Sequence, residues 1–398
     1  MNKYVITLAK TCLGCKKPSC RTGCPVGTPI PEMISLFLAG DIKKAGKILF
    51  DNNPLSVICS MVCPHEKHCE GHCILNKKGT AVSVGSIENY ISDLYMNDLQ
   101  FEKPVSNGKK VAIIGSGPAG IALAVILGAK GYEITMYDAH DKIGGVLRYG
   151  IPDFRLNKDI LDTIETKLRQ LDVTIRPNIT VGKNITIGDL FRDDFKAVFI
   201  GTGVWSPKKL SIKGESLGHV HFAIDYLKNP SVYQLGHRVV VLGAGNVAMD
   251  VARTAVRHGA HEVIIMYRKG MDDIPASHHE VECAKIDGVK FELYKQPVEI
   301  NKQGVLYSST DGSNEEGLME ADSILIAISQ SPKDNIVQTA RQIEVDGKGL
   351  VITDESGRTT MEGVFASGDV VTGARTVVEA VAFSKRVATA IEEYIDTL

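Results

Sequence analysis

Eight cysteines fall between Cys12 and Cys73, and they restrict what the first quarter of this chain can fold around. They form two groups, Cys12-x2-Cys15-x4-Cys20-x3-Cys24-Pro25 and Cys59-x3-Cys63-Pro64-x4-Cys69-x3-Cys73. Four thiolates per group match the demand of two four-iron four-sulfur cubes. Close spacing lets one loop wrap three corners of a cube, while the fourth corner comes from elsewhere. A cysteine followed by proline often ligates the other cluster in two-cluster ferredoxins, so the two groups are expected to interlock. Two other readings stay open at this level. One is zinc, because short cysteine pairs occur and His65, His68 and His72 are interleaved with them. Structural zinc favours two pairs joined by a long spacer, however, and Cys12 to Cys24 are strung more tightly than that. The other is disulfide bonding, which requires an oxidising compartment. The ninth cysteine, Cys283, stands alone in a helical stretch and is expected to be a small buried apolar residue.

The compartment follows from the rest of the sequence. Of 398 residues, 44% are hydrophobic and 23% charged, as in an ordinary soluble globular protein. The 45 basic and 47 acidic residues leave a net charge of −2, which gives no reason to expect nucleic acid or an anionic membrane as partner. No uncharged apolar run reaches the roughly 20 residues that cross a bilayer. Met1 to Lys10 lacks the pattern of a signal peptide, so the expected location is cytoplasmic.

Helical spacing runs through Ile30 to Leu49, where Ile34, Phe37 and Leu38 are followed by Ile42, Ala45 and Leu49; it is expected to be core packing. Val84 to Leu99 reads as another helix. Pro104 to Lys110 is turn-rich and reads as a linker. From there the pattern becomes strand, glycine turn, helix, strand: Val111 to Ile114, Ile121 to Lys130, Glu133 to Tyr137. It restarts with Val239 to Leu242, Val247 to His258 and Glu262 to Tyr267. Two such openings imply two dinucleotide-binding units in an α/β protein.

The first turn is Gly115-Ser-Gly117-Pro118-Ala119-Gly120. Gly115 permits the tight turn, Gly117 lets backbone N–H groups approach a pyrophosphate, and Gly120 allows close helix–strand packing. The pyrophosphate would sit at the positive end of the helix that starts near Pro118. Asp138, at the end of the next strand, is placed to hold a ribose hydroxyl. The second turn is Gly243-Ala-Gly245-Asn246-Val247-Ala248, with alanine as a permitted third residue. Arg268 and Lys269 follow its second strand where an acid would otherwise stand. Positive charge there suits a 2′-phosphate and favours NADPH, with NADH possible.

Together these residues resemble the family of bacterial glutamate synthase small subunits, and among its members the electron-input subunit of bacterial dihydropyrimidine dehydrogenase. The resemblance covers essentially the whole chain. It rests on the paired cysteine groups, on Gly144 to Arg155 (GGVLRYGIPDFR), Gly201-Thr202-Gly203, Gly243 to Asp250, Ile274-Pro-Ala276, Gly363 to Asp369 and Thr376 to Ala380. It implies an α/β protein in which an N-terminal helical iron–sulfur domain precedes two Rossmann-like domains, the NAD(P)H domain being inserted in the FAD domain. The expected bounds are 1–105 for the domain with two 4Fe–4S clusters, 106–233 and 336–398 for the two parts of the FAD domain, and 234–335 for the NAD(P)H domain. By the same resemblance Gly144, Gly145, Leu147, Arg148 and Ile151 line the flavin, with Thr202 and Gly203. Gly368 and Asp369 contact its ribityl and pyrophosphate region, and Thr376 and Val377 open a helix facing the isoalloxazine. Together with the Cys-Pro pattern it implies Cys12, Cys15, Cys20 and Cys73 on one cluster and Cys24, Cys59, Cys63 and Cys69 on the other. The sequence departs from the family at Ser329 and Ser384, where glycine is commoner.

The function this implies is an oxidoreductase subunit that takes electrons from NAD(P)H through FAD and two 4Fe–4S clusters to a separately encoded catalytic flavoprotein subunit in a hetero-oligomer. No acid–base or nucleophilic constellation is expected; His278, His279 and Glu280 read as packing or surface residues. One alternative is a self-contained flavin-dependent reductase of a small substrate, but no Cys-x-x-Cys follows Cys73. Another is a non-catalytic zinc scaffold.

Overall fold

The computed structural model describes residues 2–398. Its N-terminal part is helical: Lys3–Lys10, Ser19–Thr22, Ile30–Leu38, Ile42–Asn52, Ser56–Val62 and Val84–Asp98. The expected run from Ile30 to Leu49 is two helices, not one. Gly40 takes φ +88°, in the left-handed region open to glycine, and ends the first. Asp41 caps the second by accepting from the Lys44 N–H at 3.0 Å. Ile34, Phe37, Ala45 and Leu49 are buried in one core with Ile30, Ile87 and Ile91. Leu38, the last residue of the first helix, departs from that stripe and is 39% exposed. Cys20 and Cys59 lie in the helices Ser19–Thr22 and Ser56–Val62, and the other six of the eight cysteines in the segments that join the helices.

The segment after Asp98 is stitched to the next fold and not loose. Ser106 Oγ donates to Glu133 at 2.7 Å, and the Asn107 N–H donates to the Gly131 carbonyl at 2.9 Å. The chain then forms two compact units. The first contains residues 1–147, 153–204 and 332–398. Its parallel sheet has the order Val364–Ala366, Phe195–Ile200, Lys110–Ile114, Glu133–Tyr137, Thr174–Arg176. The central strand is buried along Val111 to Ile114, as a strand covered on both faces must be. The helices Pro118–Gly128 and Val377–Ile395 belong to the same unit.

The second unit contains residues 148–152 and 205–331. Its parallel sheet runs Val220–Phe222, Ser323–Ile326, Arg238–Leu242, Glu262–Tyr267, Lys290–Leu293. A three-stranded antiparallel sheet, Lys295–Asn301, Gly304–Ser309 and Glu316–Glu320, packs on it through Ile300, Val305, Tyr307 and Met319. No helix among the described residues is long and apolar enough to cross a membrane.

Candidate functional site

The cysteines sort into two neighbourhoods. Cys24, Cys59, Cys63 and Cys69 line a single cavity with Thr28, Asn53, His65, His68, Glu88 and Val378. Cys20 lies beside Cys73 and Cys12. Cys15 is half-buried in the loop that joins Cys12 to the helix Ser19–Thr22. Three of these thiols, Cys20, Cys63 and Cys69, are pushed toward their protonated form. The hydrogen bond to Cys59 raises the Cys63 thiol well above its usual range, and burial, Cys59, Glu88 and Cys69 add to it. Burial raises Cys69, with Glu88, Glu70 and Cys24 adding to it. Cys20 is pushed up to about 11, mostly by burial. Glu88, fully enclosed, is raised by burial to about 8. Such a crowd of thiols ionises together only around a cationic centre, which is the environment an iron–sulfur cluster supplies. Two polar nitrogens at the cavity wall, Asn53 Nδ2 and His68 Nε2, are buried without a hydrogen-bond partner. The donor set and these orphaned groups fit a bound cluster.

The interleaved histidines are held by packing. His72 Nδ1 bonds the His68 carbonyl at 2.6 Å. Its ring fills the space above Gly23, where a Cβ would stand 2.4 Å from it. The His65 ring lies likewise against Gly85, 2.6 Å from where a Cβ would be.

The first glycine turn is a bare backbone cradle. Gly115 has φ +99°, and a Cβ there would lie 2.6 Å from the Gly201 carbonyl oxygen. A Cβ on Gly120 would meet the Gly115 carbonyl at 2.0 Å, and one on Gly145 would meet Gly117 Cα at 2.9 Å. Gly144 N–H donates to the Ser116 carbonyl at 2.9 Å and so brings the two glycine loops together. The helix Pro118–Gly128 begins there with its N–H groups turned to the cradle. An anionic pyrophosphate fits this arrangement. Asp138 is 8% exposed; Oδ2 accepts from Ser116 N–H at 2.7 Å and Ser116 Oγ at 2.6 Å, and Oδ1 from His140 N–H at 2.8 Å. Burial opposes its ionisation, yet hydrogen bonds from His140 and Ser116 hold its carboxyl below the usual range.

The last segment supplies Gly368, φ +76°, whose missing Cβ leaves room for Ala119. Asp369 accepts from Arg375 N–H at 3.1 Å and is raised by burial to about 6. Thr376 caps the helix Val377–Ile395, and Glu379 reaches back to the Thr376 N–H at 3.0 Å. Leu147 is fully buried, and its carbonyl accepts from Lys158 Nζ at 2.9 Å. Thr202 and Gly203 follow the strand Phe195–Ile200, whereas Arg148 and Ile151 group with the second unit.

In the second unit Gly243, φ +122°, leaves no room for a Cβ, which would stand 2.4 Å from the Ala327 carbonyl. Asn246 Oδ1 accepts from Ser277 N–H at 2.9 Å and pins the Ile274 to Ala276 segment beside the turn. Gly245 precedes the helix Asn246–Arg257, in which Val247 is half-buried and Ala248 fully buried. Arg268 and Lys269 are exposed at the end of the strand Glu262–Tyr267; Thr310 Oγ1 donates to the Arg268 carbonyl at 2.5 Å. Cys283 is only half-buried, a correction to its expected burial. It lies on the outward side of the helix His278–Ile286, 3.6 Å from His279 Nε2. His278 and His279 are exposed, and Glu280 is buried against Arg253.

Sequence reasoning alone did not single out Asn53, Glu88 or Ser116. A lone Asn, Glu or Ser carries no spacing signal; only the fold brings Asn53 and Glu88 to the cysteine cavity and Ser116 to Asp138.

The pyridine nucleotide-disulphide oxidoreductase family matches residues 109–383, and the family described as dihydropyrimidine dehydrogenase domain II, 4Fe-4S cluster, matches residues 1–99. The small chain of NADPH glutamate synthase from Escherichia coli K12 is 32% identical over 98% of this chain and 91% of its own length. The NAD-dependent dihydropyrimidine dehydrogenase subunit PreT of the same organism is 31% identical over 98% of this chain and 93% of its own. Among solved structures, T. acidophilum thioredoxin reductase superimposes with a TM-score of 0.59 at 22% identity, covering 73% of this chain and 99% of its own; that likeness concerns the fold. The chain thus belongs to the pyridine nucleotide-disulphide oxidoreductases, in the branch that contains glutamate synthase small chains and PreT, and is an NAD(P)H-dependent oxidoreductase with FAD and 4Fe–4S iron–sulfur as its cofactors.

Proposed function

We propose that this chain is the electron-input subunit of a cytoplasmic hetero-oligomer whose catalytic flavoprotein subunit is separately encoded. The observation that carries this reading is the cavity at which Cys24, Cys59, Cys63 and Cys69 meet Val378, in the first turn of the helix capped by Thr376. Thiols for a cluster and the helix end expected to face the flavin share one wall, so charge has a short way to leave the flavin. FAD, when bound, takes the hydride of NAD(P)H, and the clusters take single electrons from it.

The chain's own residues do the rest. Cys24, Cys59, Cys63 and Cys69 hold one cluster and Cys12, Cys15, Cys20 and Cys73 the other. Residues 1–105 house both. The unit that carries the Gly115 to Gly120 turn binds FAD, with that turn and Gly145 on the pyrophosphate. The N-terminus of the helix Val377–Ile395 would favour negative charge on a flavin held against it. Residues 234–335 bind the nicotinamide nucleotide, with Arg268 and Lys269 selecting NADPH.

The partner follows from the relatives, one a glutamate synthase small chain and one a dihydropyrimidine dehydrogenase subunit by name. The isolated chain should reduce artificial dyes with NAD(P)H yet turn over neither pyrimidines nor glutamine with 2-oxoglutarate. One of these activities should appear when the separate subunit is added. Substrate-dependent NAD(P)H oxidation at a physiological rate by the chain alone would overturn the proposal.

A further inference from the structure

The wall of the Cys24, Cys59, Cys63 and Cys69 cavity includes Asn53, which is 1% exposed. Its side-chain oxygen accepts the Leu55 N–H at 2.9 Å, which fixes the plane of the amide. The other end of that amide, Nδ2, is buried and has no acceptor. A buried donor with no acceptor destabilises a fold, so a fold that keeps one calls for a partner that completes it. Sulfur already meets a polar side chain in the same cavity, where the Thr28 hydroxyl lies 3.2 Å from Cys24 Sγ.

We infer that Asn53 sets the reduction potential of the cluster in this cavity by donating its Nδ2–H to a sulfur of that cluster. The inference rests on the ligand assignment proposed above. Reduction adds one electron to the cluster; no bond forms or breaks and no proton moves. The added charge sits largely on sulfur, so an N–H donor stabilises the reduced state more than the oxidised one. Burial strengthens the effect, because no water competes for the sulfur. Asn53 therefore raises the potential of this cluster above the value its four thiolates alone would set, beside the helix that starts at Val377.

The test uses the full chain, purified anaerobically with its clusters. Asn53→Ser leaves a neutral oxygen for the Leu55 N–H and withdraws the amide donor. In redox titrations followed by electron paramagnetic resonance, one of two cluster signals should fall in potential, with its ratio of reduced to oxidised cluster down about tenfold, which is about 59 mV for one electron. The other signal should stay in place. A second measurement needs no variant: with asparagine labelled with 15N in its side chain, pulsed resonance of the reduced wild-type protein should show a 15N coupling to one cluster. An iron-loaded Asn53→Ser protein with both potentials unmoved, or both moved equally, would overturn the role of Asn53. So would a wild-type protein without the coupling, which also decides the matter if the variant cannot hold iron. Wild-type protein that binds zinc and little iron would overturn the ligand assignment instead.

Discussion

Arg253 and Glu280 pair at 2.9 Å with side chains 10% and 6% exposed, and Arg253 also holds Asp287 at 2.8 Å. Removing one partner of such a pair leaves a charge out of water, which costs about 3–5 kcal/mol. Arg253→Met should therefore lower the unfolding free energy by about 3 kcal/mol, and adding Glu280→Leu should recover part of it; urea titrations of the variants would check both. Burial opposes ionisation of Asp287, but the hydrogen bonds from Arg257 and Arg253 win and hold its carboxyl below the usual range. A depressed carboxyl stabilises the fold above its unfolded value and loses that contribution as pH falls through the folded one. The stability gap between wild type and Asp287→Asn should accordingly be full near neutral pH and close below about pH 4, in chemical melts run across that range. Arg268 and Lys269 are exposed where the second fingerprint ends. Their joint replacement by neutral residues should raise KM for NADPH far more than for NADH; steady-state kinetics with equal effects on both would show that they do not read the 2′-phosphate. The two departures from the family pattern have different local outcomes. Ser329 takes φ +101°, a glycine conformation, while its carbonyl accepts from Lys208 N–H at 3.1 Å. Ser384 is fully buried, and its hydroxyl pairs with Ser367 at 2.8 Å, so the extra polar group is satisfied.

At the scale of elements, the helix Val377–Ile395 reaches the cysteine domain, because Val378 in its first turn lines the cavity of Cys24, Cys59, Cys63 and Cys69. Its capping box joins Thr376 and Glu379, and its side chain Lys385 donates to the Asn52 carbonyl at 2.7 Å, in the helical N-terminal segment. Thr376→Ala should cost about 1 kcal/mol of stability, as loss of an N-cap does, and Thr376→Ser should restore it. Thermal melts of the two variants would test that; equal melting of Thr376→Ala and wild type would show that the cap is idle. The elements of both glycine-turn units were legible in the sequence to within a few residues, because alternation and turn chemistry are local. Glu133–Tyr137 and Glu262–Tyr267 fall where the β-branched runs put them. The break at Gly40 was not legible from periodicity, since Ile42, Ala45 and Leu49 keep a helical spacing across it.

For the whole molecule, the cysteine count sets a stoichiometry. Anaerobically purified protein should be brown and carry about eight irons and one FAD per chain, at four irons per cubane. Iron, sulfide and flavin analysis would check it, and stoichiometric zinc in place of iron would contradict it. The chain path also decides which stretches act together. Residues 332–398 return to the unit that holds residues 1–147, so the glycine at 368 completes a cradle begun at 115.

The sequence by itself determined the chemistry types: thiolate spacing, glycine turns and the acid or base after each second strand are properties of neighbours along the chain. The fold decided what those groups meet. That Cys24 faces Cys59, Cys63 and Cys69, that Ser116 donates twice to Asp138, and that an asparagine amide is left unpaired beside Cys24 and Cys69 depend on residues far apart in sequence. Such contacts come from packing helices and sheets around shared cores, and burial then sets the charge and hydrogen-bonding state of each group, which no local pattern encodes.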